Sequence, residues 1–87
     1  MPVNPLARQS IEVAIEQLGG SGAALADALK VSPGAVSMWR LGRTVIAERH
    51  FEAIVRLAGR DSSGAPRVTF DQLVRENLDV MKARRAA

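Results

Sequence analysis

The chain has 87 residues, no cysteine and a net charge of +3, which fits one domain and excludes a disulfide framework or a thiolate metal site. No apolar run approaches the ~20 residues that a membrane span needs, and the first ten residues lack an apolar signal core. We therefore expect a cytoplasmic protein with no membrane partner, folded as the single domain 1–87.

The positive charge is segregated along the chain. Between Ser21 and Arg43 the only acid is Asp27, and the segment from Lys82 to Arg85 contains bases but no acid. Segregated positive charge is typical of surfaces that contact a phosphate backbone. On charge alone, ordinary solvated helix faces explain the pattern equally well.

Helical periodicity and Gly- or Pro-containing breaks predict five helices, over 5–18, 22–29, 33–41, 47–58 and 70–84. Asn4 is the expected cap of the first helix and Pro5 its first residue. Apolar residues three and four apart should face the core. In the first four helices these are Ala7, Ile11, Ala14, Ile15 and Leu18; Leu25, Ala28 and Leu29; Val36 and Trp39; and Phe51, Ile54, Val55 and Ala58.

The last third of the chain begins with a predicted loop over 60–67. At most one short strand is expected, near Val68. Thr69 and Gln72 fit a capping box for the fifth helix. The predicted class is therefore all-α, and the apolar stripe of the fifth helix is Phe70, Leu73, Val74, Leu78 and Met81.

The second and third helices are joined by about four residues, so they must cross rather than run on. Ser32 is a natural cap for the third helix, and Pro33 fits its first turn. Ala26 is small where the two helices would come close. This pattern is typical of a helix-turn-helix, whose second helix enters the major groove of DNA.

One pattern of residues extends over the segment from Ser21 to Glu76: ALADAL (24–29), VSPGAVSMW (31–39), Gly42, Ala47-Glu48-Arg49, Ile54, Val68-Thr69 and Leu73. Through these residues the segment resembles the Cro/repressor-like helix-turn-helix regulators of phage origin, most closely the Cro-like YdaS antitoxin-type group. The resemblance implies a compact lambda-repressor/Cro-like domain. Three departures stand out: Lys30 where the family often has glycine at a left-handed turn, Ser21-Gly22 where glutamine often opens the helix, and 75–77 in place of a motif with proline.

If Val36 and Trp39 face inward, the opposite side of the third helix should meet base edges. That side lacks Asn, Gln and Arg, which pair bidentately with purines, so we expect modest direct readout. DNA shape, water or dimer spacing would then add specificity. The predicted DNA-binding residues are Gly34, Ser37, Met38 and Leu41 at the bases, Arg40 and Arg43 beside them, and Ser21, Gly22 and Ser32 at the helix starts.

Several residues have an ordinary structural interpretation. Trp39 is expected in the core, and Met38 is either a base reader or a core filler. His50 has no second histidine or cysteine with which to bind a metal, so a surface or capping role is expected. No catalytic motif occurs, and we expect neither an enzyme nor a cofactor. Solvated helix faces are expected for the carboxylate pairs Glu12/Glu16 and Glu48/Glu52, and for Arg49, Arg56 and Arg60.

One short reading helix binds weakly alone, so a homodimer is expected, with its interface on Phe70, Val74, Leu78 and Met81. The alternative is that this stripe packs only within its own domain. Lys82, Arg84 and Arg85 form either a disordered end or added phosphate contacts. Two functions stay open: a nucleoid-associated repressor that binds double-stranded DNA, or an antitoxin-like module that binds a toxin or another protein and binds DNA only weakly or non-specifically.

Overall fold

Short capped helices make up most of the chain. A computed structural model describes residues 9–86, with side chains as far as Arg85. Within this range every regular element is helical, which confirms the all-α prediction. The helices are α1 (Gln9–Gln17), α2 (Gly22–Leu29), α3 (Pro33–Arg40), α4 (Phe51–Ala58), preceded by the 3-10 turn Glu48–His50, and α5 (Phe70–Ala86).

The helix bounds differ from the predicted ones mainly at their ends. The expected start of the first helix, with Asn4, Pro5 and Ala7, lies outside the described residues. α3 ends one residue early, the predicted helix over 47–58 divides into a 3-10 turn and α4, and α5 runs past 84. In the described part of the chain no strand forms near Val68; an isolated antiparallel bridge joins Arg60 to Pro66 instead.

The core lies between two packed helix pairs. α1 packs against α4 and α2 against α3, and Ile11, Leu25 and Ile54 are fully buried where these helices meet. Ala28 is exposed, contrary to the prediction, because the buried side of α2 is centred between Leu29 and Ala26. Ile46 and Val80 are buried although neither belongs to a predicted stripe.

The turn between α2 and α3 has a left-handed backbone. Lys30 adopts φ 58° and ψ 42°, and the N–H of Val31 donates to the carbonyl of Ala26 at 2.9 Å. A non-glycine residue in this conformation costs roughly 1 kcal/mol. Ser32 then caps α3, its hydroxyl accepting from the N–H of Ala35 at 3.1 Å. The turn therefore places a lysine in a backbone conformation that glycine adopts more readily.

α5 is attached to the rest of the domain by polar contacts as well as by buried Leu73 and Val80. The Asn77 amide brackets Ile46, accepting from its N–H and donating to its carbonyl, each at 2.9 Å. At the far side, buried Ser10 donates through its hydroxyl and its N–H to the Glu76 carboxylate. No helix in the described part of the chain is long and apolar enough to cross a membrane.

The predicted capping box of α5 forms only in half. Thr69 Oγ1 accepts from the N–H of Gln72 at 3.1 Å. The Gln72 side chain does not return to the cap; its Nε2 donates to Glu76 Oε2 at 3.3 Å. Glu76, one turn along the helix, is therefore held from two directions.

Candidate nucleic-acid interface

The outward side of α3 presents the residues that the sequence assigned to it. Gly34 and Ser37 are exposed, as are Met38 at 38% and Leu41 at 49%. Behind them Val36 and Trp39 are buried in the core. Met38 is therefore a surface residue and not a core filler, and α3 is held to the domain by one side only.

The starts of α2 and α3 use their serines as helix caps. Ser21 Oγ accepts from the N–H of Ala24 at 3.2 Å, as Ser32 does at the start of α3. Each hydroxyl keeps its own hydrogen for donation. Gly22 is half-buried and lies close to α3: a Cβ at this position would be 3.7 Å from Val36 and 3.8 Å from Arg40.

Arg40 has an intramolecular partner. Its Nε donates to Glu12 Oε1 at 2.7 Å and its Nη2 to Oε2 at 3.2 Å, with both side chains a little under half exposed. The hydrogen bond with Glu12 raises the pKa of Arg40 above its ordinary value, and the negative charge of Glu12 adds a smaller contribution in the same direction. Glu12 was expected to be simply solvated; instead it shares a shallow groove of about 320 Å³ with Ser37, Arg40 and Leu41.

Arg43 lies just beyond α3. Its N–H donates to the carbonyl of Met38 at 3.0 Å, and Gly42, at φ 68°, provides the left-handed bend that ends the helix. The Arg43 side chain is exposed and makes no ion pair with any residue in the described range. Arg43 is therefore a cation at this surface without an ion-pair partner among the described residues.

His50 packs against the back of α3. Its ring lies 5.6 Å from the Trp39 ring, centroid to centroid, and it makes no side-chain capping bond. Burial, with a smaller contribution from the Arg49 charge, lowers the pKa of His50. His50 thus stands half-buried at the N-cap position of α4, with its ring on Trp39 and without a side-chain capping bond. Among residues 9–86 no cluster of three or more His, Asp or Glu side chains could hold a metal ion.

A second exposed surface runs along α5. Its four large apolar side chains are each between 44% and 50% exposed, so the rest of the described domain does not bury them. They are Phe70, Val74, Leu78 and Met81. The Phe70 ring also meets Phe51 edge-on, with centroids 5.9 Å apart. We call these four side chains the α5 stripe.

The predicted DNA-binding residues come together around α3, with Ser37, Arg40 and Leu41 lining one groove. Glu12 also belongs to this surface, which the sequence did not predict. It lies on α1, 28 positions before Arg40. The chain matches no protein-family profile, no curated protein and no solved structure. The likeness to Cro-like regulators therefore stays a prediction.

Proposed function

We propose that this chain is a sequence-specific DNA-binding transcriptional regulator, a repressor of prophage Cro type, that inserts α3 into the major groove. The observation that carries the proposal is the two-sided character of α3. Its inner side is fixed by Val36 and Trp39, while Ser37, Met38 and Leu41 are exposed on the outer side. A short capped helix held from behind, after a tight turn from the preceding helix, is the arrangement used by helix-turn-helix proteins.

The exposed side chains suit particular contacts in the groove. Ser37 has a hydroxyl that pairs with either kind of base edge, and Met38 and Leu41 offer apolar contact to thymine methyl groups. Gly34 allows the backbone to approach closely. Arg43 is placed for a phosphate, which would add affinity without reading sequence. Direct readout through this set is modest, so DNA shape and water would contribute to specificity.

Two copies reading neighbouring half-sites would compensate for the small contact made by one α3. In helix-turn-helix dimers these half-sites lie about 34–36 Å apart, one helical turn of DNA. The dimer is part of the proposal, and the resemblance to phage repressors supports it.

The test is fluorescence-anisotropy binding to the DNA just upstream of the protein's own gene and to a scrambled duplex of equal length. Titrations across a salt series separate phosphate contacts from base contacts. We expect a preference of about a thousandfold for the upstream duplex near physiological salt. Equal affinity for both duplexes, or none for either, would contradict a sequence-specific regulator of its own gene.

Two variants locate the binding surface. Arg43→Ala should weaken binding to both duplexes and reduce the salt slope by about 0.9, the value of one phosphate contact. Arg75→Ala removes another exposed arginine, the one on α5 that pairs with Asp71; it is the control and should leave binding unchanged. If the two variants behave alike, α3 is not the DNA-contacting element.

The α5 stripe favours a second candidate, an antitoxin-like module that binds a toxin or another protein. Four large apolar side chains exposed on one helix are suited to a protein surface rather than to DNA. This candidate predicts that variants of the stripe abolish capture of the partner while Arg43→Ala does not. It becomes the better proposal if neither duplex binds.

A further inference from the structure

The segment over 41–47 carries Arg43 and lies outside the helices, between α3 and the 3-10 turn that precedes α4. Its beginning is tied to α3, because the N–H of Arg43 donates to the carbonyl of Met38 at 3.0 Å. From Arg43 the chain leaves α3, and the Val45 side chain is exposed. The position of Arg43 therefore depends on what holds the later part of this segment.

Ile46 holds the later part. Its side chain is 1% exposed and belongs to the hydrophobic core. Backbone groups beside a buried side chain need hydrogen-bond partners, and here the Asn77 amide supplies both. Its Oδ1 accepts from the Ile46 N–H and its Nδ2 donates to the Ile46 carbonyl, each at 2.9 Å. Because the N–H and the carbonyl belong to successive peptide planes, the two bonds fix the direction in which the chain passes through Ile46.

The residue type at position 77 suits these two bonds better than it suits a helix. Asn forms helices less readily than Ala, Leu or Glu, yet Asn77 lies in the interior of α5. Its amide combines an acceptor oxygen with a donor NH₂ group, whereas a carboxylate of the same size only accepts. The side chain is half-buried and reaches a residue 31 positions away, so it joins α5 to the segment that carries Arg43.

We infer that Asn77 is a positioning residue for the phosphate contact of Arg43, a role that rests on the proposed function because it requires a DNA phosphate. Arg43 and Ile46 are three positions apart. A chain held at the Met38 carbonyl and again at Ile46 has few backbone conformations between these points. Binding then costs less entropy, since the backbone that carries the arginine is already ordered. In this role Asn77 acts through the backbone of Ile46 and does not itself contact DNA.

The loss of the Asn77 amide has a specific consequence for Arg43. The Ile46 side chain stays buried, but its two peptide planes become free to rotate toward water. The chain between Arg43 and Ile46 then gains conformations that DNA binding has to restrict again. Arg43 keeps its charge throughout, so affinity is lost through ordering of the segment and not through the removal of a cation.

A purely stabilising role for Asn77 makes different predictions, and Val80→Ala is the control that separates the two roles. Val80 is 1% exposed on the same helix and lies outside the main core cluster. Its truncation loosens α5 by removing apolar contacts, while both hydrogen bonds to Ile46 are kept. If Asn77 only stabilises the fold, Asn77→Ala and Val80→Ala should affect the Arg43 segment and DNA binding alike.

NMR relaxation of the backbone amides, measured without DNA, tests the first step. In the native chain the order parameters of residues 43–46 should be close to the rigid value of about 0.85. In Asn77→Ala they should fall toward about 0.6, while those of α1 and α4 stay unchanged. Val80→Ala should keep the native values at 43–46. Circular dichroism checks that both variants are folded, and unchanged order parameters in Asn77→Ala would overturn the inference whatever the chain binds.

Anisotropy binding to the upstream duplex tests the second step through a double-mutant cycle. Asn77→Ala should weaken binding and reduce the salt slope by up to about 0.9, the value of one phosphate contact. In the Arg43→Ala background the same substitution should change the affinity by less than about twofold, the usual limit of additivity. The arginine that Asn77 positions is then already absent. Val80→Ala should have the same small effect in both backgrounds.

The outcomes distinguish the positioning role from the proposed function. Equal losses from Asn77→Ala in the native and the Arg43→Ala backgrounds would overturn the positioning role and leave the DNA-binding proposal intact. Losses as large in Val80→Ala would do the same, since any loosening of α5 would then suffice. A native chain that binds neither duplex would contradict the proposed function itself, and the positioning role with it.

Discussion

The outward sides of α3 and α5 differ in almost every property that decides what a helix binds. The α3 side is eight residues long, carries Ser37 and flexible Met38, and has Arg40 and Arg43 beside it. The α5 stripe lies on a helix of 17 residues and exposes four large apolar side chains. Phosphates and base edges require cations and adaptable polar groups, whereas a protein partner requires apolar area. The two exposed sides therefore differ in chemistry as the two proposed contacts would require, α3 for DNA and α5 for a protein.

The two helices are also held differently. α3 is fixed by apolar burial of Val36 and Trp39 and by the cap at Ser32. α5 combines buried Leu73 and Val80 with a polar bracket from Asn77 to Ile46. Removal of the apolar support should therefore weaken the attachment of α3, and removal of the Asn77 hydrogen bonds should weaken that of α5.

The largest effect is expected at Trp39. Trp39→Ala removes a side chain that is 95% buried behind the α3 surface and should lower the free energy of unfolding by about 3–5 kcal/mol. The neighbouring Met38→Ala changes only the exposed side and should stay within about 0.5 kcal/mol of the native chain. Urea unfolding followed by circular dichroism measures both. Similar losses for the two variants would mean that α3 is not held from one side only.

Asn77 comes next, and its replacement tests the support of α5. Asn77→Ala leaves both backbone groups of Ile46 without this partner, at a cost of about 1–3 kcal/mol. Asp79→Ala, on the exposed side of the same helix, is the control and should change little. Hydrogen exchange at the Ile46 amide should rise in the first variant alone. An unchanged exchange rate would show that the bracket contributes nothing.

A smaller effect of opposite sign is expected at Lys30. Lys30→Gly relieves the left-handed backbone at φ 58° and should stabilise the chain by about 0.5–1 kcal/mol. Ala28→Gly, two residues earlier on the exposed side of α2, should destabilise it by about 1 kcal/mol, the usual penalty inside a helix. If both glycines destabilise, the turn does not strain Lys30.

Local signals in the sequence predicted the parts of the fold that local chemistry determines. Ser32 and Thr69 cap the helices as predicted, and the spacing of Val36 and Trp39 identified the buried side of α3. Ala28 was assigned wrongly because a helix of eight residues leaves its apolar side poorly defined. Helical periodicity also could not predict the contact between His50 and Trp39, since the two residues belong to different elements.

Three polar contacts that the sequence did not reveal join residues far apart in the chain. The Asn77 bracket spans 31 positions, the bond from Ser10 to Glu76 spans 66, and the pair between Glu12 and Arg40 spans 28. Polar side chains on a helix surface look alike in sequence whether they meet water or another helix. Only the tertiary arrangement shows which of them have partners.

The smallest expected effect concerns Glu12, the carboxylate that lines the groove beside α3. While Glu12 holds the guanidinium by two hydrogen bonds, a DNA phosphate has to compete for Arg40 and approach a negative charge. Glu12→Gln should therefore strengthen binding to both duplexes a few-fold. It should also steepen the salt slope by about 0.9, as expected for one added phosphate contact.

Glu16→Gln is the matched control for this change. It removes the same charge one turn further along α1, where the exposed side chain makes no ion pair within the described residues. A steeper slope in Glu12→Gln alone would show that the pair withholds Arg40 from phosphate, so that Arg43 carries the cationic contact in the native chain. Weaker binding in Glu12→Gln would reverse this role, because Glu12 would then be orienting Arg40 toward DNA and both arginines would belong to the reading surface.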